Sequence, residues 1–377
     1  MRIGILALHF ARGKPASSEP HLMNLVNAMT RLDAGHVYYL FVRADNASCF
    51  DTSRNNTKLI IFPNVCRWMW FRVACEQLVV PVLAIIFRLD VLHFNANVGP
   101  VFAHCKTVGT IHWIPHPVLT ASFSWHKRLY FRILTRLSVR KASRLIAVSG
   151  ACKAEATQVL GLPEGKVVVI PHGVGAAFAT GAPTAAGKTV REKHRLPERY
   201  LLAVTTTQPY KILPTTLRAF VFAKVKYGMP HKLVLVGNID HSVLSEMKSN
   251  ISSRFRWDDE LVTTGYLPYE ELPSIYQAAS GLIYVSLRET FGIAVLEAMA
   301  SGVPVIISRI PALMEVAGEA AANVDPLDTD GLGEAIHLVV QGGGAVEEMR
   351  MLGRKRAESF TWEKAALETI NTYSAAV

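Results

Sequence analysis

Two carboxylates, Glu289 and Glu297, flank a predicted helix start and could together hold a ligand rich in hydroxyl groups. Residues 281–286 form an apolar run that predicts a buried strand. Helix formers at 293–300, followed by Gly302, predict a short helix after it. Glu297 then lies about two turns beyond Glu289 and faces nearly the same way. The stretch therefore predicts a strand, a loop and a helix with a carboxylate on each side of the helix start.

The helix start at 290–293 would expose backbone N–H groups that suit a phosphate. A carboxylate is a strong acceptor for pairs of hydroxyls. A nucleotide-sugar carries hydroxyls at both ends and two phosphates between them, so one carboxylate for the sugar, the other for the ribose and the helix start for the diphosphate would need about this spacing. The alternative is a solvated Glu289 and a Glu297 on an ordinary helix surface.

Seven residues separate the two glutamates, and Ala-Met-Ala-Ser-Gly-Val-Pro-Val-Ile follows them. This pattern resembles the E-x7-E signature of retaining glycosyltransferases of family 4. The overall pattern, including a P-x-K loop at 209–211 and Phe-Thr-Trp-Glu at 360–363, is most similar to bacterial mannosyltransferases of surface-polysaccharide assembly. The resemblance covers nearly the whole chain. It implies the GT-B fold, an α/β architecture in which two Rossmann-like domains with mostly parallel sheets face each other across a cleft.

Strands alternate with helical stretches through the first half of the chain, which favours a parallel sheet covered by helices. The resemblance implies an N-terminal, acceptor-side domain at 1–178 and a C-terminal, nucleotide-sugar-binding domain at 200–359. A linker is expected at 179–199, where Ala, Gly, Thr, Lys and Arg are frequent. Residues 360–377 are expected to form a last helix that crosses back onto the first domain.

The resemblance also assigns ligand-binding roles within the second domain. Glu289 would hold donor-sugar hydroxyls with help from the backbone of Phe291 and Gly292. Glu297 would hold the ribose, and Leu267 would meet the base through its backbone. The further donor-binding residues that the resemblance implies are Thr290, Ile293, Gly237 and Thr206.

The loop 205–213 looks like the family's G-T-x-x-P-R-K-N-L segment. Three positions depart from that pattern, because Thr205 stands for the Gly, Tyr210 for the Arg and Ile212 for the Asn. Lys211 is retained, and we expect it to bind the diphosphate as a flexible point charge. The missing Arg removes one positive partner of the leaving group.

His112 ends a predicted strand at 107–112, in a segment similar to the family's T-I-H-D. The resemblance implies that His112 lines the donor sugar and the acceptor, although Trp113 stands where the family has Asp. A packed or solvated histidine is the alternative, and nearby His116 has no comparable support. The loop 11–19 has Gly13 alone where family members often have a glycine pair. The predicted catalytic residues are His112, Lys211 and Glu289.

Residues 126–144 carry seven basic side chains and no acidic one. On a helix, Arg128, Arg132, Arg136 and Arg140 form a stripe beside a face with Tyr130, Leu134 and Leu137. The stripe fits anionic lipid headgroups, at about 1 kcal/mol per basic residue near the surface. It fits a solvated face next to a core face equally well. The net charge of +10 favours anionic partners, but nucleic acid is disfavoured because no base-stacking platform or recognition motif is evident.

Five widely spaced cysteines without a CxxC pair are expected to be reduced in the cytosol. No DxD motif ends a strand, and no His, Cys or Asp residues cluster in the sequence, so neither a metal nor another cofactor is expected. The longest apolar run, 78–87, is too short to cross a bilayer. We therefore expect a soluble or peripheral protein at the cytoplasmic face of the membrane.

Together these features predict a metal-independent, retaining hexosyltransferase of cell-surface glycan assembly. Its acceptor would be a lipid-linked oligosaccharide or a polysaccharide. Mannose from GDP-mannose is the favoured donor, and a UDP-hexose is the second. A non-catalytic GT-B scaffold that binds lipid or protein partners is the main alternative, because of the departures at Thr205, Tyr210, Ile212 and Trp113. A sugar-nucleotide epimerase on the same fold is a third hypothesis, which the E-x7-E pattern disfavours.

Overall fold

The computed structural model describes residues 1–9, 18–33, 35–114, 123–179, 185–252 and 254–377. These residues form two compact units. The first unit combines Met1–Gly173 with Thr361–Val377, and the second is Val174–Phe360. Most of the predicted loop around Gly13, as well as His116, lies outside the described residues.

The first unit is built on a seven-stranded sheet in the order β3-β2-β1-β4-β5-β6-β7, with every neighbouring pair parallel. Its strands are β1 Arg2–Leu6, β2 Val37–Arg43, β3 Thr57–Phe62, β4 Val91–Phe94, β5 Lys106–Ile111, β6 Arg144–Ala147 and β7 Val167–Val169. The central strands bury both faces, as expected for a parallel sheet covered by helices. Strand β3 at the edge of the sheet is half exposed, so its sequence lacks the continuous apolar run that predicts a buried strand.

The helices of the first unit are α1 Ser18–Leu32, α2 Met69–Ile86, α3 Trp125–Lys141, α4 Gly150–Leu160 and, from the end of the chain, Trp362–Ser374. This last helix packs against α1. Its Tyr373 is fully buried, and the hydroxyl lies 2.7 Å from Nδ1 of His93 on β4. The C-terminal helix is therefore part of the core of the first unit.

Helix α2 corrects the expectation that its apolar run is too short for a bilayer. Among the described residues, Met69–Ile86 is the one helix that is long and apolar enough to span a membrane by length and composition alone, and only 17% of it is buried. A π-helical turn at Cys75–Val79 lets the helix continue past Pro81. The sequence predicts one or two apolar helices over 68–88, but Glu76 and Gln77 interrupt the apolar run, so its uninterrupted length is only that of 78–87.

The second unit is built on a six-stranded parallel sheet in the order β10-β9-β8-β11-β12-β13. Its strands are β8 Tyr200–Val204, β9 Lys232–Val236, β10 Leu261–Gly265, β11 Gly281–Tyr284, β12 Val305–Ser308 and β13 Ala321–Val324. Its helices are α5 Ala176–Ala179, α6 Ala185–Lys193, α7 Leu213–Tyr227, α8 His241–Ile251, α9 Trp257–Glu260, α10 Leu272–Gln277, α11 Ile293–Ala300, α12 Pro311–Ala317, α13 Thr329–Gln341 and α14 Gly344–Ala357; the chain-terminal helix of the first unit is α15.

Helix α6 lies within 179–199, the stretch predicted to link two domains. It packs against α10, and two residues at its end hold Glu271, with Lys193 Nζ at 2.5 Å from Oε1 and His194 Nε2 at 2.6 Å from Oε2. The described part of this stretch is thus a folded section of the second unit. Composition alone did not distinguish this helix from a linker, because Glu271, which Lys193 and His194 contact, is distant in the sequence.

Candidate functional site

The predicted strand, loop and helix form at β11, 285–292 and α11. Gly292 begins the helix with φ +104, a left-handed conformation that L side chains rarely adopt. A Cβ on Gly292 would lie 2.5 Å from Cδ2 of Leu313, so glycine is also required for close packing. Seven of the eight residues of α11 are buried. The helix start is therefore fixed in place by a glycine and by its own buried body.

Lys211 and Glu289, predicted to contact different parts of a donor, form an ion pair. Lys211 Nζ lies 2.5 Å from Oε1 of Glu289 and donates to the hydroxyl of Tyr284 at 2.9 Å. The two charged side chains are only 12% and 14% exposed. Burial disfavours the ammonium, but the charge of Glu289 and the hydrogen bonds to Glu289 and Tyr284 outweigh it and raise the Lys211 pKa well above its usual value.

A short 3-10 turn, Pro209–Lys211, brings Lys211 to this position. The backbone N–H of Leu287 donates to the carbonyl of Tyr210 at 2.8 Å and ties the turn to the loop after β11. The next residue, Ile212, has φ +38, an unusual conformation for a β-branched residue. The family pattern has Asn at this position, and Asn tolerates the left-handed region better. The departure at Ile212 therefore places strain beside the lysine.

Glu297 lies on α11 and is 5% exposed. Its Oε2 accepts a hydrogen bond of 3.0 Å from the hydroxyl of Tyr276 on α10. Burial raises the pKa of Glu297 to about 8, although the Tyr276 hydrogen bond acts in the opposite direction. Glu297 is thus a buried carboxyl close to its own titration at neutral pH, and not a residue of an ordinary helix surface.

Gly237 follows β9 with φ +135, and a Cβ there would lie 2.0 Å from the carbonyl oxygen of Thr205. Its N–H donates to the carbonyl of Gly265 at 2.9 Å. The carboxyl ends of β8, β9 and β10 therefore meet at this glycine. In open parallel sheets, ligands bind outside this edge, and the loop that carries Glu289 follows β11 at the same edge.

The other predicted donor residues differ in what they can offer. Leu267 is 3% exposed and Phe291 is 4% exposed, so their side chains are not available to a ligand. The resemblance implies contacts through the backbone of both residues, which agrees with this burial. The hydroxyl oxygen of Thr206 accepts from the N–H of Gln208 at 3.3 Å. Thr290 and Ile293 are half-buried.

Sequence reasoning missed the two tyrosines that hold the charged groups, Tyr284 and Tyr276. Tyr284 is the last residue of β11, directly before the loop that carries Glu289. This position at the end of a predicted strand could have indicated that Tyr284 belongs to the site. Tyr276 lies on a helix 21 residues before Glu297. Nothing in that spacing indicates contact.

His112 directly follows β5 in the first unit. Its backbone N–H donates to Oδ1 of Asn97 at 3.0 Å, and its Nε2 lies 3.1 Å from Oδ1 of Asn95. Burial lowers the pKa of His112 to about 4, so the ring is neutral at physiological pH. A neutral, oriented imidazole can donate or accept a hydrogen bond but carries no charge to a phosphate.

Three histidines that are distant in the sequence come together here. The ring centroid of His21 lies 4.7 Å from that of His112 and 3.9 Å from that of His172. One potential ligand atom of each lies within 4.8 Å of the other two. The three histidines come from α1 and from the segments after β5 and β7, so they do not form a cluster along the sequence.

The predicted basic stripe is exposed at all four positions, Arg128, Arg132, Arg136 and Arg140. The predicted core face of this helix needs one correction. Tyr130 is buried, but Leu137 is 41% exposed, as are the neighbouring apolar side chains Leu129 and Ile133 at 47% each. Helix α3 therefore presents a mixed basic and apolar surface, because the arginine spacing of four drifts around the helix and overlaps the leucine positions.

Two family models match this chain. Residues 188–357 match the model described as glycosyl transferases group 1. Residues 18–178 match the model described as glycosyltransferase family 4. The matches do not overlap and correspond closely to the second and the first unit.

Curated relatives include two bacterial mannosyltransferases. O-antigen chain mannosyltransferase B of Escherichia coli is 30% identical over 239 residues, 63% of this chain and 61% of the relative. O-antigen chain mannosyltransferase RfbU of Salmonella typhimurium is 28% identical over 220 residues, 58% of this chain and 57% of the relative. The matched region thus spans about three fifths of each relative's length.

Solved structures extend the likeness to the whole chain. Anabaena HepE in complex with UDP and glucose has a TM-score of 0.75 at 18% identity and covers 100% of both chains. WaaG, a glycosyltransferase of lipopolysaccharide biosynthesis, has a TM-score of 0.71 at 13% identity and covers 98% of this chain and 99% of its own. At such identities the likeness shows the fold, and it confirms the predicted GT-B class.

Proposed function

We propose that this chain, which belongs to the group 1 and family 4 glycosyltransferases, moves a hexosyl unit from a nucleotide-sugar to a hydroxyl of a cell-surface glycan with retention of configuration. The observation that carries the proposal is the buried pair of Lys211 and Glu289 beside the start of α11. A cation, a carboxylate and a helix N-terminus at the carboxyl edge of a parallel sheet are the groups that a sugar diphosphate requires.

In this proposal the donor separates the ion pair. Lys211 turns to the diphosphate, whose charge replaces that of Glu289, and the freed carboxylate accepts the sugar hydroxyls. The N–H groups at Gly292 and Ile293 complete the phosphate contacts at the helix start. Because both partners are preorganised and largely buried, the exchange requires little rearrangement of the surrounding loop.

Catalysis would consist mainly of stabilising the departing diphosphate. Lys211 and the start of α11 provide the positive potential, so we propose that transfer requires no metal. The acceptor hydroxyl attacks the anomeric carbon on the face from which the diphosphate leaves, and a diphosphate oxygen takes its proton. Glu297 accepts from the ribose hydroxyls. The resemblance further implies that His112 lines the sugar and the acceptor.

The favoured donor is GDP-mannose, because both relatives described above are named mannosyltransferases. A UDP-hexose is the second candidate, since HepE was solved with UDP and glucose. A screen of both donors, with membrane extract as the acceptor source and with release of nucleoside diphosphate as the readout, distinguishes them. Lys211→Ala should lower turnover by about 10²–10³-fold. A chain that binds neither GDP nor UDP by calorimetry would instead be a non-catalytic scaffold.

We also propose that the first unit docks on an anionic membrane, where a lipid-linked acceptor would be found. Helix α2 exposes large apolar side chains that a protein surface normally covers. They include Trp70 at 58%, Phe71 at 57%, Leu78 at 69%, Val82 at 54% and Ile86 at 63%. The last three recur at helical spacing and form one face.

Helix α3 adds the charge that this apolar face lacks. The Trp70 and Tyr130 rings lie 6.1 Å apart, so α2 and α3 contact each other and can present one surface. The four stripe arginines attract anionic headgroups, at about 1 kcal/mol each. Exposed Trp and long basic side chains are typical of segments that lie in the headgroup region. We therefore propose a peripheral protein at the cytoplasmic face of the membrane.

Sedimentation with vesicles tests the docking surface. The whole chain should bind vesicles containing phosphatidylglycerol more tightly than vesicles of phosphatidylcholine alone. The double variant Leu78→Ser with Ile86→Ser should lose most binding in both, while Val225→Ser, which alters a residue 75% exposed in the second unit, should not. Replacing the four arginines by Gln should remove the preference for the anionic lipid. Unchanged binding by both sets of variants would refute the proposal.

A further inference from the structure

His21 is a buried histidine whose ring nitrogens are poorly hydrogen-bonded. It lies on α1 and is 4% exposed. Asn95 is its side-chain hydrogen-bond partner, but the contact lacks the geometry of a normal hydrogen bond, so the ring nitrogens are only weakly satisfied by the described residues. A buried polar group without a partner costs about 1–3 kcal/mol. A bound water or ion is one way in which such a group is satisfied in a folded core.

The rings around His21 supply what a metal would need. The ring centroid of His21 lies 3.9 Å from that of His172 and 4.7 Å from that of His112, and the last two are 5.5 Å apart, so the three rings form a triangle. The ligand atoms of the three side chains lie within 4.8 Å of one another. In a tetrahedral zinc site the nitrogens lie roughly 3.3 Å apart, from Zn–N distances of about 2.0–2.1 Å. Small rotations about the side-chain bonds would close that difference.

From this geometry we infer that His21, His112 and His172 form a site for one divalent transition metal of the Zn²⁺ type. Three neutral imidazoles suit Zn²⁺, Cu²⁺ or Ni²⁺, whereas Mg²⁺ and Ca²⁺ prefer oxygen ligands. The set leaves a fourth position open, as in sites where zinc also binds water or a substrate group.

The surroundings of the three histidines support the assignment. Oδ1 of Asn95 lies 3.1 Å from Nε2 of His112, and such a contact fixes the ring orientation of metal-binding histidines. Apolar side chains, among them Leu25, Ile146 and Ile170, line a small cavity beside His21 and His172. An apolar wall limits the access of solvent to a metal and its ligands. The three histidines come from α1 and from the segments after β5 and β7, so their backbones are held by separate elements of the first unit and only their side chains need to rotate.

This inference goes beyond the proposed transfer, which uses no metal, yet the two meet at His112. A metal held by His112 would remove that ring from the sugar and acceptor. We therefore expect Zn²⁺ to inhibit transfer at concentrations that fill the site. Metal binding is measured without donor or acceptor. A protein that fails to bind Zn²⁺ could therefore still catalyse the proposed transfer, and a protein without transferase activity could still bind Zn²⁺.

The test is a Zn²⁺ titration of the metal-free full chain in competition with a chromogenic chelator. The wild type should bind one equivalent, and Co²⁺ in its place should give the ligand-field absorption of a four-coordinate site with three nitrogen ligands and a water. His21→Gln and His172→Asn should each weaken binding at least about tenfold. His241→Asn, at an exposed histidine of the second unit, is the matched control and should bind as the wild type does.

Thermal unfolding separates lost ligands from lost folding. Without metal, each variant should unfold at a temperature close to that of the wild type. Added Zn²⁺ should raise the midpoint for the wild type and for His241→Asn only, because a ligand of the folded state alone stabilises that state. Absence of stoichiometric binding by the wild type, or equal affinity of His21→Gln, His172→Asn and the wild type, would overturn the inference.

Discussion

Nζ of Lys211 lies 2.5 Å from Oε1 of Glu289, so the cation and the carboxylate expected at opposite ends of a sugar diphosphate neutralise each other. The pair is mostly buried, and Tyr284 adds a hydrogen bond to the lysine. Without a ligand, each of the two buried charges is stabilised by the other. With a ligand, each partner would have a separate task.

Removal of one partner should therefore destabilise the second unit. We predict that Lys211→Met and Glu289→Gln each cost about 3–5 kcal/mol, because each leaves a group unpaired, and that the double variant recovers much of this loss. Hydrogen exchange at α11 is the appropriate measurement, since it reports on the second unit alone. A double variant as unstable as the sum of the single variants would contradict the pairing.

An exposed pair in the same unit provides the control. Lys226 Nζ lies 2.6 Å from Oε1 of Glu334, with both side chains 50% exposed. Solvent screens this pair, so Lys226→Met should change stability by about 0–1 kcal/mol. It should also leave turnover unchanged, whereas Lys211→Met should abolish most of it.

The buried carboxyl of Glu297 predicts a pH-dependent stability. Its pKa rises from 4.5 to about 8 on folding, so its favourable contribution is complete below pH 4.5 and is lost as the pH rises through about 8. Glu297→Gln, which keeps the shape of the neutral form, should remove this slope of up to about 1.4 kcal/mol per pH unit. Glu76, with a pKa of about 7, adds its own slope, so the difference between variant and wild type is the quantity to measure. Parallel curves would refute the assignment.

The same group predicts a pH dependence of nucleotide binding. If ribose hydroxyls donate to Glu297, the carboxylate is the binding form, and the empty site must lose a proton below pH 8. GDP affinity measured by calorimetry should therefore rise from pH 6 to pH 8, by up to about tenfold per unit. Glu297→Gln should bind GDP more weakly and keep only the pH dependence of GDP itself. A wild-type profile identical to that of Glu297→Gln would exclude the ribose contact.

Gly237 should tolerate no side chain. A Cβ there would meet the carbonyl oxygen of Thr205 at 2.0 Å, and backbone cannot yield as a flexible side chain can. We predict that Gly237→Ala costs of the order of 3 kcal/mol and weakens nucleotide binding. Gly228→Ala is the control, because φ is +59 there but nothing lies within 4 Å, and it should cost about 1–2 kcal/mol. Equal losses in thermal unfolding would show that the close approach is unimportant.

Local patterns sufficed where a residue's neighbours in the chain determine its state. The predicted helix over 293–300 has those bounds in the structure, because helix formers end at a glycine. The match to the group 1 and family 4 models confirmed the family inferred from the glutamate spacing. The apolar run at 281–286, predicted as a buried strand, likewise contains β11, Gly281–Tyr284.

Contacts between residues that are distant in the sequence could not be predicted from the sequence. Lys211 and Glu289 are 78 residues apart, and each had a ligand-binding role that did not require the other. The contact of Tyr276 with Glu297 and the meeting of His21 with His172 depend on which strands become neighbours in a sheet. Such contacts follow from topology, which composition and periodicity do not determine.

The central claim, that Lys211 and the start of α11 hold a nucleotide's diphosphate, has one direct test. GDP binding to the purified full chain is measured by calorimetry for the wild type, Lys211→Ala and Lys226→Ala. We predict that the wild type and Lys226→Ala bind equally well and that Lys211→Ala binds at least about tenfold more weakly, as expected for a lost charged hydrogen bond. Equal GDP affinity in all three proteins would contradict the claim.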